Sequence, residues 1–342
     1  MTSIDLRSDT VTRPSDAMRK AMANAEVGDD ERDGDPTTLQ LERRVAELLG
    51  KDRALFFPSG VMANQAAVNL HTRPGTEVIL DADAHIIQWE MAGVAGLSGA
   101  QIRPVLPTGI VATADDMRRY VRPKARHMTK PSLVCVENTH NGAGGKIVPL
   151  SEMRAIREFA TELGLPVHLD GARLWNAAVA SGVPLQDFAA AADTVMVAFS
   201  KGLGAPIGAA VATSTSMADE LWGIRKRFGG AMRQSGIIAA GALYGLEHNM
   251  ERLKQDHANA RAFAKLVDGA GGAKVVEPDT NIVMVDLPAD RTAAPVVKAC
   301  AAQGVLLSGW SVSRIRAVTH LDVSADEVKR AGEVLAAVLE AN

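Results

Sequence analysis

The sequence predicts an α/β protein in which a mostly parallel sheet is covered by helices, and three observations support this. Short apolar runs rich in β-branched residues alternate with helix-length amphipathic segments along most of the chain. Several of these runs are apolar at every position, which is typical of strands covered on both faces. Strand and helix in alternation require right-handed crossovers and give a doubly wound sheet.

The strands of this sheet are predicted from six apolar runs. They are Ala54–Phe57, Glu77–Leu80, Ser132–Val136, Pro166–Leu169, Thr194–Phe199 and Ile207–Val211. The helices between them have recognisable starts, such as Ser15 after a proline and Ser151 before an acidic residue. Ser324 and Glu327 form a capping box that predicts a helix running nearly to the end of the chain.

A change of pattern in the last third of the chain predicts a second domain. A helical stretch begins after Gly236 and continues to about Val267. Three more widely separated strands follow it, at Asn281–Leu287, Val305–Leu307 and Arg314–Val318. We place the domain boundary within the helix near residue 248. Residues 1–248 then form an N-terminal arm and a large domain, and residues 249–342 form a small C-terminal α+β domain.

Composition excludes several functional classes. The 342 residues carry 37 basic and 40 acidic side chains, without the basic surplus of a nucleic-acid-binding protein. Two cysteines, Cys135 and Cys300, cannot form a disulfide framework and predict a cytoplasmic protein. No apolar run approaches the roughly 18 residues of a membrane span, and charged residues interrupt the N-terminus. We therefore expect neither a membrane span nor a signal peptide.

Three polar motifs follow predicted strands, where ligands of open α/β sheets bind. Ser59, Gly60 and Val61 lie where a strand gives way to a helix, and the free N–H groups there suit a phosphate, although an ordinary turn explains them too. Asp170 ends a strand and is either a buried carboxylate or a helix cap. Lys201 follows a buried strand, where low-dielectric surroundings disfavour its charge and make it a candidate nucleophile rather than a surface lysine.

Together an anion site, a carboxylate and a lysine fit pyridoxal phosphate (PLP). Further segments give these motifs a context. The N-terminal segment Ile4–Pro14 closely resembles the opening of the low-specificity L-threonine aldolases. The segments that match the same family in order are Glu137–Asn141, His168–Arg173, Phe199–Gly204, Gly230–Gly236 and Arg316–Asp322. The chain is therefore identified as a member of that family.

The resemblance implies a fold-type-I, aminotransferase-like protein with a mostly parallel seven-stranded sheet in its large domain. It also implies a homotetramer built as a dimer of dimers, with active sites at the dimer interface. The implied reaction cleaves L-threonine or L-allo-threonine, and other L-β-hydroxy-α-amino acids such as phenylserine, to glycine and an aldehyde. The implied partner is thus a small-molecule substrate, with no nucleic acid and no membrane.

Carried onto this sequence, the resemblance assigns cofactor roles. Lys201 would hold PLP covalently, Asp170 would pair with its pyridine nitrogen, and His85 would stack on its ring. The other cofactor-binding residues would be Ser59, Gly60 and Val61 at the phosphate, Arg173, Ser200, and Lys226 and Arg233 from the neighbouring subunit.

Substrate roles follow in the same way. Arg173 and Arg316 would bind the α-carboxylate, with Ser8 helping. The base that takes the β-hydroxyl proton would be His85 or His127, directly or through a water, and a histidine pKa of about 6.5 suits this task.

Substrate choice is the most open question. If Trp89 lines the pocket, aromatic substrates are favoured; the alternative is packing in the dimer interface. A phenylserine-preferring aldolase and a PLP-dependent β-eliminating lyase are therefore kept as alternatives, with a non-catalytic PLP-binding relative as a remote one. The chain also departs from the family at Val61, where a hydroxyl residue is common, and over Gly28–Asp33, which lacks a tyrosine.

The other polar residues have plainer interpretations. Arg7 and Arg13 are expected to be structural ion-pair partners, and His320 a satisfied structural contact. His168 either belongs to the site or is simply packed, whereas His71 is expected to be solvated, like the other histidines on helical patterns. No cluster of cysteine or histidine has metal-ligand spacing, so we expect no catalytic metal.

Overall fold

The computed structural model describes residues 3–341. The strands are β1 Ile4–Asp5, β2 Arg53–Phe57, β3 Glu77–Asp81, β4 Gln101–Val105, β5 Pro131–Glu137, β6 Val167–Gly171, β7 Thr194–Ala198, β8 Ala209–Thr213, β9 Lys274–Val276, β10 Ile282–Asp286, β11 Val305–Leu306, β12 Ser308–Ser311 and β13 Arg314–Val318. The helices are α1 Asp16–Ala23, α2 Pro36–Leu49, α3 Gly60–His71, α4 His85–Gln88, α5 Gly93–Ser98, α6 Ala114–Tyr120, α7 Leu150–Leu163, α8 Leu174–Ser181, α9 Leu185–Ala190, α10 Thr215–Arg227, α11 Gly236–His248, α12 Leu253–Val267, α13 Ala293–Ala302 and α14 Ala325–Ala341.

A seven-stranded sheet forms the centre of the large domain. Its strand order is β2-β8-β7-β6-β5-β3-β4, and only β8 runs antiparallel to its neighbours. All six predicted runs lie on strands of this sheet, so the predicted α/β class and the mostly parallel sheet are confirmed. The seventh strand, β4, was not predicted because it is a largely exposed edge strand that contains Arg103 and Pro104.

Alternation along the strands explains why their sequences are apolar throughout. Phe56 on β2 packs into the core formed with α2 and α7, whereas Phe57 packs into the core formed with α3 and α10. Val197 and Met196 on β7 divide between the same two cores. Successive side chains of a strand point to opposite faces, so a sheet covered on both faces needs apolar residues at every position.

The C-terminal third contains a smaller antiparallel sheet with the order β12-β13-β10-β9 and its own hydrophobic core. The predicted long helix is two helices, because α11 ends at His248 and α12 begins at Leu253. The Asn249 amide at this break donates to the Leu203 carbonyl, 2.8 Å away. The expected boundary near residue 248 coincides with the break, and the division into two domains stays a prediction.

Residues 4–6 are hydrogen-bonded to the C-terminal third of the chain. The short strand β1 pairs in parallel with β11, and the Val318 N–H donates to the Leu6 carbonyl at 2.8 Å. The residues just after β1 are thereby held beside the carboxyl edge of β13. Across residues 3–341 no helix has both the length and the apolar character needed to cross a bilayer.

A buried acid on α2 gives the fold a specific pH dependence. Glu42 accepts a hydrogen bond from the Phe56 N–H at 2.8 Å, and burial raises its pKa to about 7. The folded state therefore holds this proton more tightly than the unfolded chain, so the resulting stability is present below pH 4.5 and is lost as the pH rises to about 7. Its size is roughly 3 kcal/mol at most.

We expect Glu42→Gln to reduce this loss, since the amide cannot ionise and its oxygen still accepts from Phe56. Thermal unfolding of the wild type and the variant at pH 5 and pH 8 measures the difference. The variant should gain stability relative to the wild type on going to pH 8. Parallel pH profiles for the two proteins would contradict the assignment.

Candidate active site

Three strands of the large sheet bring the predicted motifs to one carboxyl edge. The turn after β2 leads into α3, where the Ser59 hydroxyl accepts from the Met62 N–H at 3.2 Å and caps the helix. The first N–H groups of a helix have no intrahelical acceptor, so those of Gly60 and Val61 are available to an anion. Asp170 lies near the end of β6 and Lys201 lies just beyond β7.

Lys201 has the properties of an amine that can react. Within residues 3–341 its Nζ makes neither a hydrogen bond nor an ion pair. Burial and the neighbouring Arg173 guanidinium lower its pKa to about 8, although Asp9 and Asp170 oppose the shift. A lysine with such a pKa is partly neutral near pH 7.5, and the neutral amine is the nucleophilic form.

Asp170 is held in a buried polar cluster. Its Oδ2 accepts from the Asn64 amide at 2.8 Å and its Oδ1 accepts from the Ala172 N–H at 3.1 Å. The same Asn64 nitrogen donates to Glu90 Oε1 at 2.9 Å. Glu90 Oε1 in turn lies 2.9 Å from His85 Nδ1. Asn64 and Glu90 therefore connect the two residues expected to contact the cofactor ring.

The protonation of His85 depends on this cluster. Burial alone would lower its pKa, but the hydrogen bond with Glu90 and the charge of Asp170 raise it. The donor atoms of His85, Glu90 and Asp170 lie within 4.8 Å of one another, which is a spacing a metal ion could use. Because Asn64 directs its N–H groups at both carboxylates, a cation would first have to displace the amide.

Arg173 is anchored by a residue that the sequence did not identify. Its Nε and one terminal nitrogen donate to both oxygens of Asp9 at 2.8 and 2.7 Å. Asp9 is fully buried and Arg173 nearly so. Burial would raise the pKa of Asp9, but Arg173 holds it far below its usual value. Arg173 therefore has three N–H groups left to offer to a ligand, two of them on its other terminal nitrogen.

Two guanidinium groups converge beside this pair. Arg316 donates to Asn141 Oδ1 at 3.0 Å, and the remaining nitrogen of Arg173 lies 3.4 Å from the same oxygen. The Arg316 Nε is buried and has no hydrogen-bond partner. Burial, together with the charge of Arg173, lowers the pKa of Arg316 to about 10. Two cations directed at one neutral oxygen form a position that a carboxylate would fill.

Two tryptophans lie next to this position. Trp310 places its ring 4.7 Å from the Arg316 guanidinium carbon, and the Trp89 ring centroid lies 5.4 Å from that of Trp310. Trp89 is 53% exposed and lines, with Trp310 and Arg314, an open cavity of about 380 Å³. Trp310 lies on β12, in the small domain, so the cavity is formed by both parts of the chain.

Lys226 and Arg233 are paired with acids of their own chain. Both contact Glu31, and the Lys226 contact is 2.8 Å. Their side chains are about half exposed. Glu31 belongs to the Gly28–Asp33 segment, so this segment holds both cations in the single chain. In this structure neither cation reaches the other site residues of the same chain.

The remaining predicted residues fall into different places. Ser8 caps a short 3-10 helix at Asp9–Val11, and its hydroxyl accepts from the Thr10 N–H at 3.2 Å. Ser200 directly precedes Lys201 and is partly buried. His127 is exposed on the loop before β5, at the opposite edge of the sheet. The structure does not bring His127 to the site within one chain, and its role stays a prediction.

Other histidines correct or bear out the sequence interpretation. His320 is a structural contact as predicted, because its Nε2 lies 2.7 Å from the Asp5 carbonyl. His71 is not solvated: its Nε2 lies 3.1 Å from the Thr194 hydroxyl, and burial lowers its pKa to about 4. His257 is also buried. A helical pattern with one histidine does not reveal which face the histidine occupies, so these two predictions were wrong.

The residues present fit PLP by their chemistry. A capped helix start offers N–H groups to a phosphate, and a buried carboxylate can pair with a protonated ring nitrogen. The unpaired Nζ of Lys201, with its lowered pKa, is suited to a covalent bond with an aldehyde carbon.

Sequence reasoning missed five residues that shape the site. They are Asp9, Asn64, Glu90, Asn141 and Trp310. Asp9 and Asn141 lie inside segments that carry the family resemblance, so motif membership was an available signal for them. The other three act through tertiary contacts that spacing along the chain does not reveal.

Comparison with known proteins gives concordant matches. The β-eliminating lyase family model matches residues 5–290. The low-specificity L-threonine aldolase of Escherichia coli strain K12 is 39% identical over 95% of this chain and 96% of its own. A Leishmania major threonine aldolase structure has a TM-score of 0.83 at 20% identity, covering 98% and 99% of the two chains. The K265A variant of a serine palmitoyltransferase from S. paucimobilis, solved with a bound PLP–myriocin aldimine, has a TM-score of 0.76 at 19% identity, covering 99% of this chain and 88% of that one.

Proposed function

The chain belongs to the β-eliminating lyase family, and to the low-specificity L-threonine aldolases within it, and from this membership we propose that it is a PLP-dependent aldolase. It cleaves the Cα–Cβ bond of L-threonine or L-allo-threonine and releases glycine and an aldehyde. It is thus a carbon–carbon lyase acting on a small amino acid.

One observation carries the proposal beyond family membership. Lys201, Asp170 and Arg173 lie at the carboxyl edge of the large sheet, and Arg316, on β13, meets Arg173 there at the Asn141 side chain. The amine has a lowered pKa, the carboxylate accepts two hydrogen bonds, and the two guanidinium groups converge on a single oxygen. Such a set can bind an amino acid by both its amine-bearing carbon and its carboxylate.

PLP, when bound, supplies an electron sink that delocalises the electron pair left on Cα by bond cleavage. Lys201 would hold it, Asp170 would keep its ring nitrogen protonated, and His85 would lie against its ring. The N–H groups of Gly60 and Val61 would bind the phosphate. Arg173 and Ser200 would complete the cofactor site, and Ser59 would hold the phosphate turn through its cap.

The carboxylate position controls which bond breaks. Arg316 and the Arg173 nitrogen that faces Asn141 would bind the α-carboxylate, with the Ser8 hydroxyl helping. The substrate carboxylate would replace the Asn141 oxygen as their acceptor. A fixed carboxylate would restrict rotation of the substrate about its Cα and so would select which bond to Cα is aligned for cleavage. Positioning of this kind can lower a barrier by several kcal/mol.

His85 is the better-supported base within this chain. Its Nδ1 is engaged by Glu90, which leaves Nε2 free to take the β-hydroxyl proton. A raised pKa strengthens this base, since Glu90 stabilises the protonated ring. His127 would act only from a second copy of the chain, because it lies at the opposite edge of the sheet.

The assembly belongs to the proposal as well. Lys226 and Arg233 would reach the phosphate of a neighbouring copy, which requires a dimer, and the family supports a homotetramer of two such dimers. Glu31 would then have to release them. We place the protein in the cytoplasm, which the two buried, unpaired cysteines support.

A product assay tests the function. Purified protein loaded with PLP is incubated separately with L-threonine and L-allo-threonine, and glycine and acetaldehyde are quantified. Equal amounts of the two products are expected. A keto acid with ammonia would identify a β-eliminating lyase instead, and PLP binding without turnover would identify a non-catalytic relative.

The cavity lined by Trp89 and Trp310 favours aromatic substrates as a second group. With the carboxylate on Arg316, the substituent on Cβ can lie against the rings of Trp89 and Trp310. The cavity volume of about 380 Å³ accommodates a phenyl group. L-phenylserine is therefore a proposed substrate alongside threonine.

We expect Trp89→Ala to lower kcat/KM for L-phenylserine by roughly threefold to tenfold, the value of one aromatic contact. The methyl group of threonine is too small to reach the ring, so kcat/KM for L-threonine serves as the internal control. The ratio of the two values is the measurement. An unchanged ratio would favour the dimer-interface role for Trp89.

A further inference from the structure

A line of buried polar side chains leads from Asp170 toward the amino edge of the sheet, and the reaction above does not use it. Asn64 Oδ1 lies 3.1 Å from His168 Nε2. His168 Nδ1 lies 2.9 Å from the Thr194 hydroxyl, which lies 3.1 Å from His71 Nε2. We call His71, Thr194, His168 and Asn64 the donor line.

The direction of its hydrogen bonds follows from what each group can do. Carboxylate oxygens only accept, so Asn64 must present its NH₂ group to Asp170 and Glu90. Its oxygen then faces His168 Nε2, which must carry a hydrogen. The orientation of the Asn64 amide and the position of the His168 proton therefore determine each other.

The far half of the line is determined in the same way. Burial lowers the pKa of His168 to about 4, so the ring is neutral and has a single N–H. With that hydrogen on Nε2, the Nδ1 must accept from the Thr194 hydroxyl. The Thr194 oxygen can then accept from His71 Nε2. Every hydrogen bond of the line points toward the carboxylates.

Reversing the direction of these hydrogen bonds would be energetically unfavourable at Asp170 and Glu90. If the His168 hydrogen moved to Nδ1, the Asn64 amide would turn and present its oxygen to Asp170 and Glu90. Asp170 would lose the hydrogen bond from Asn64, which is one of its two. Glu90 Oε1, the oxygen that contacts His85 Nδ1, would also lose its hydrogen bond from Asn64. An attraction would be replaced by repulsion between oxygens in a buried site.

We propose that Thr194 and His168 are positioning residues that fix the Asn64 amide and thereby hold Asp170 and Glu90 for cofactor binding. The proposal rests on the proposed function only in taking Asp170 as the partner of the cofactor ring nitrogen. Thr194 acts at a distance, through His168 and Asn64. A merely structural role would be limited to filling space and satisfying buried polar atoms.

Thr194→Val tests the proposal because valine has nearly the same shape and lacks the hydroxyl. We expect the PLP dissociation constant to rise by roughly 10- to 100-fold, the size of one hydrogen bond to a charged group. Thr194→Ser restores the hydroxyl and should restore the wild-type constant. If Thr194→Val does not fold, His168→Leu and His168→Gln give the same comparison, since glutamine can still donate to Asn64.

Nitrogen-15 NMR of labelled histidine in the PLP-free protein provides an independent readout. We expect His168 to be the Nε2–H tautomer in the wild type and in Thr194→Ser. Thr194→Val removes the hydrogen bond to Nδ1 and should reduce the excess of the Nε2–H tautomer over the Nδ1–H tautomer. Since this measurement needs neither cofactor nor substrate, it can succeed even if the product assay rejects the aldolase function.

His257→Leu controls for a general loss of stability. This histidine is also buried with a pKa of about 4, and its Nε2 lies 3.1 Å from the Asn176 amide, away from Asp170. We expect it to lower the melting temperature without changing the PLP dissociation constant. An unchanged constant in Thr194→Val, an equal weakening in His257→Leu, or an Nδ1–H tautomer in the wild type would overturn the proposal.

Discussion

Lys201→Ala is expected to abolish the visible absorbance of the bound cofactor and to reduce turnover by roughly four to six orders of magnitude, as removal of a nucleophile does elsewhere. We propose the Nζ of Lys201 as the amine that bonds the cofactor aldehyde, and within residues 3–341 it makes neither a hydrogen bond nor an ion pair. Absorbance spectra and glycine release measure the two effects. Retained absorbance together with retained activity would remove Lys201 from the reaction.

Lys51→Ala is the matched control for this prediction. Burial lowers the pKa of Lys51 as well, but its Nζ donates to the Ala192 carbonyl at 2.6 Å, far from the motifs of the site. A change in cofactor absorbance is therefore expected only for Lys201. If both variants lost the absorbance, loss of structure rather than loss of the amine would explain it.

Asp9→Ala is expected to have the largest effect on stability, about 3–5 kcal/mol, because it leaves the Arg173 charge buried and unpaired. KM should rise too, since Arg173 would no longer be held beside Arg316. Urea unfolding and KM for L-threonine are the measurements. Stability within about 1 kcal/mol of the wild type would show that Arg173 finds another partner.

Asp5→Ala provides the comparison for Asp9. Asp5 pairs with Arg7 at 2.6 Å, but the Arg7 side chain is 53% exposed. Exposed pairs contribute under about 1 kcal/mol. The two acids are four positions apart on the same segment, so the difference between the variants isolates the effect of burying the ion pair.

The fold was largely predictable because its main signals are local. A strand covered on both faces needs apolar residues along its whole length, and β5 and β7 read in this way. The edge strand β4 was missed because an exposed edge imposes no such pattern. The break between α11 and α12 was missed because Asn249 ends α11 through a contact with Leu203, which neighbouring residues do not reveal.

The same difference between local sequence signals and tertiary contacts explains which site residues were predicted. Lys201 and Asp170 were identified because each lies at the carboxyl end of a strand. Neighbouring residues in the sequence are enough to predict such a strand and its end. Asp9 was missed because its partner Arg173 is 164 positions away. Asn64 and Glu90 were missed because an amide on a helix, or an acid in a bend, has no distinguishing sequence signal until tertiary contacts bring it close to Asp170 or His85.

The pairing of β1 with β11 also sets an order of events during protein synthesis. The segment carrying Asp9 is synthesised long before its partners, because the main-chain groups of Ile4 and Leu6 bond to residues 304, 306 and 318. The β2–β8 sheet can assemble as its strands emerge, since all of them precede residue 214. The proposed substrate-binding corner cannot, because Arg316 is added about a hundred residues after the last of these strands. A nascent chain therefore holds a complete cofactor edge well before it can bind an amino acid.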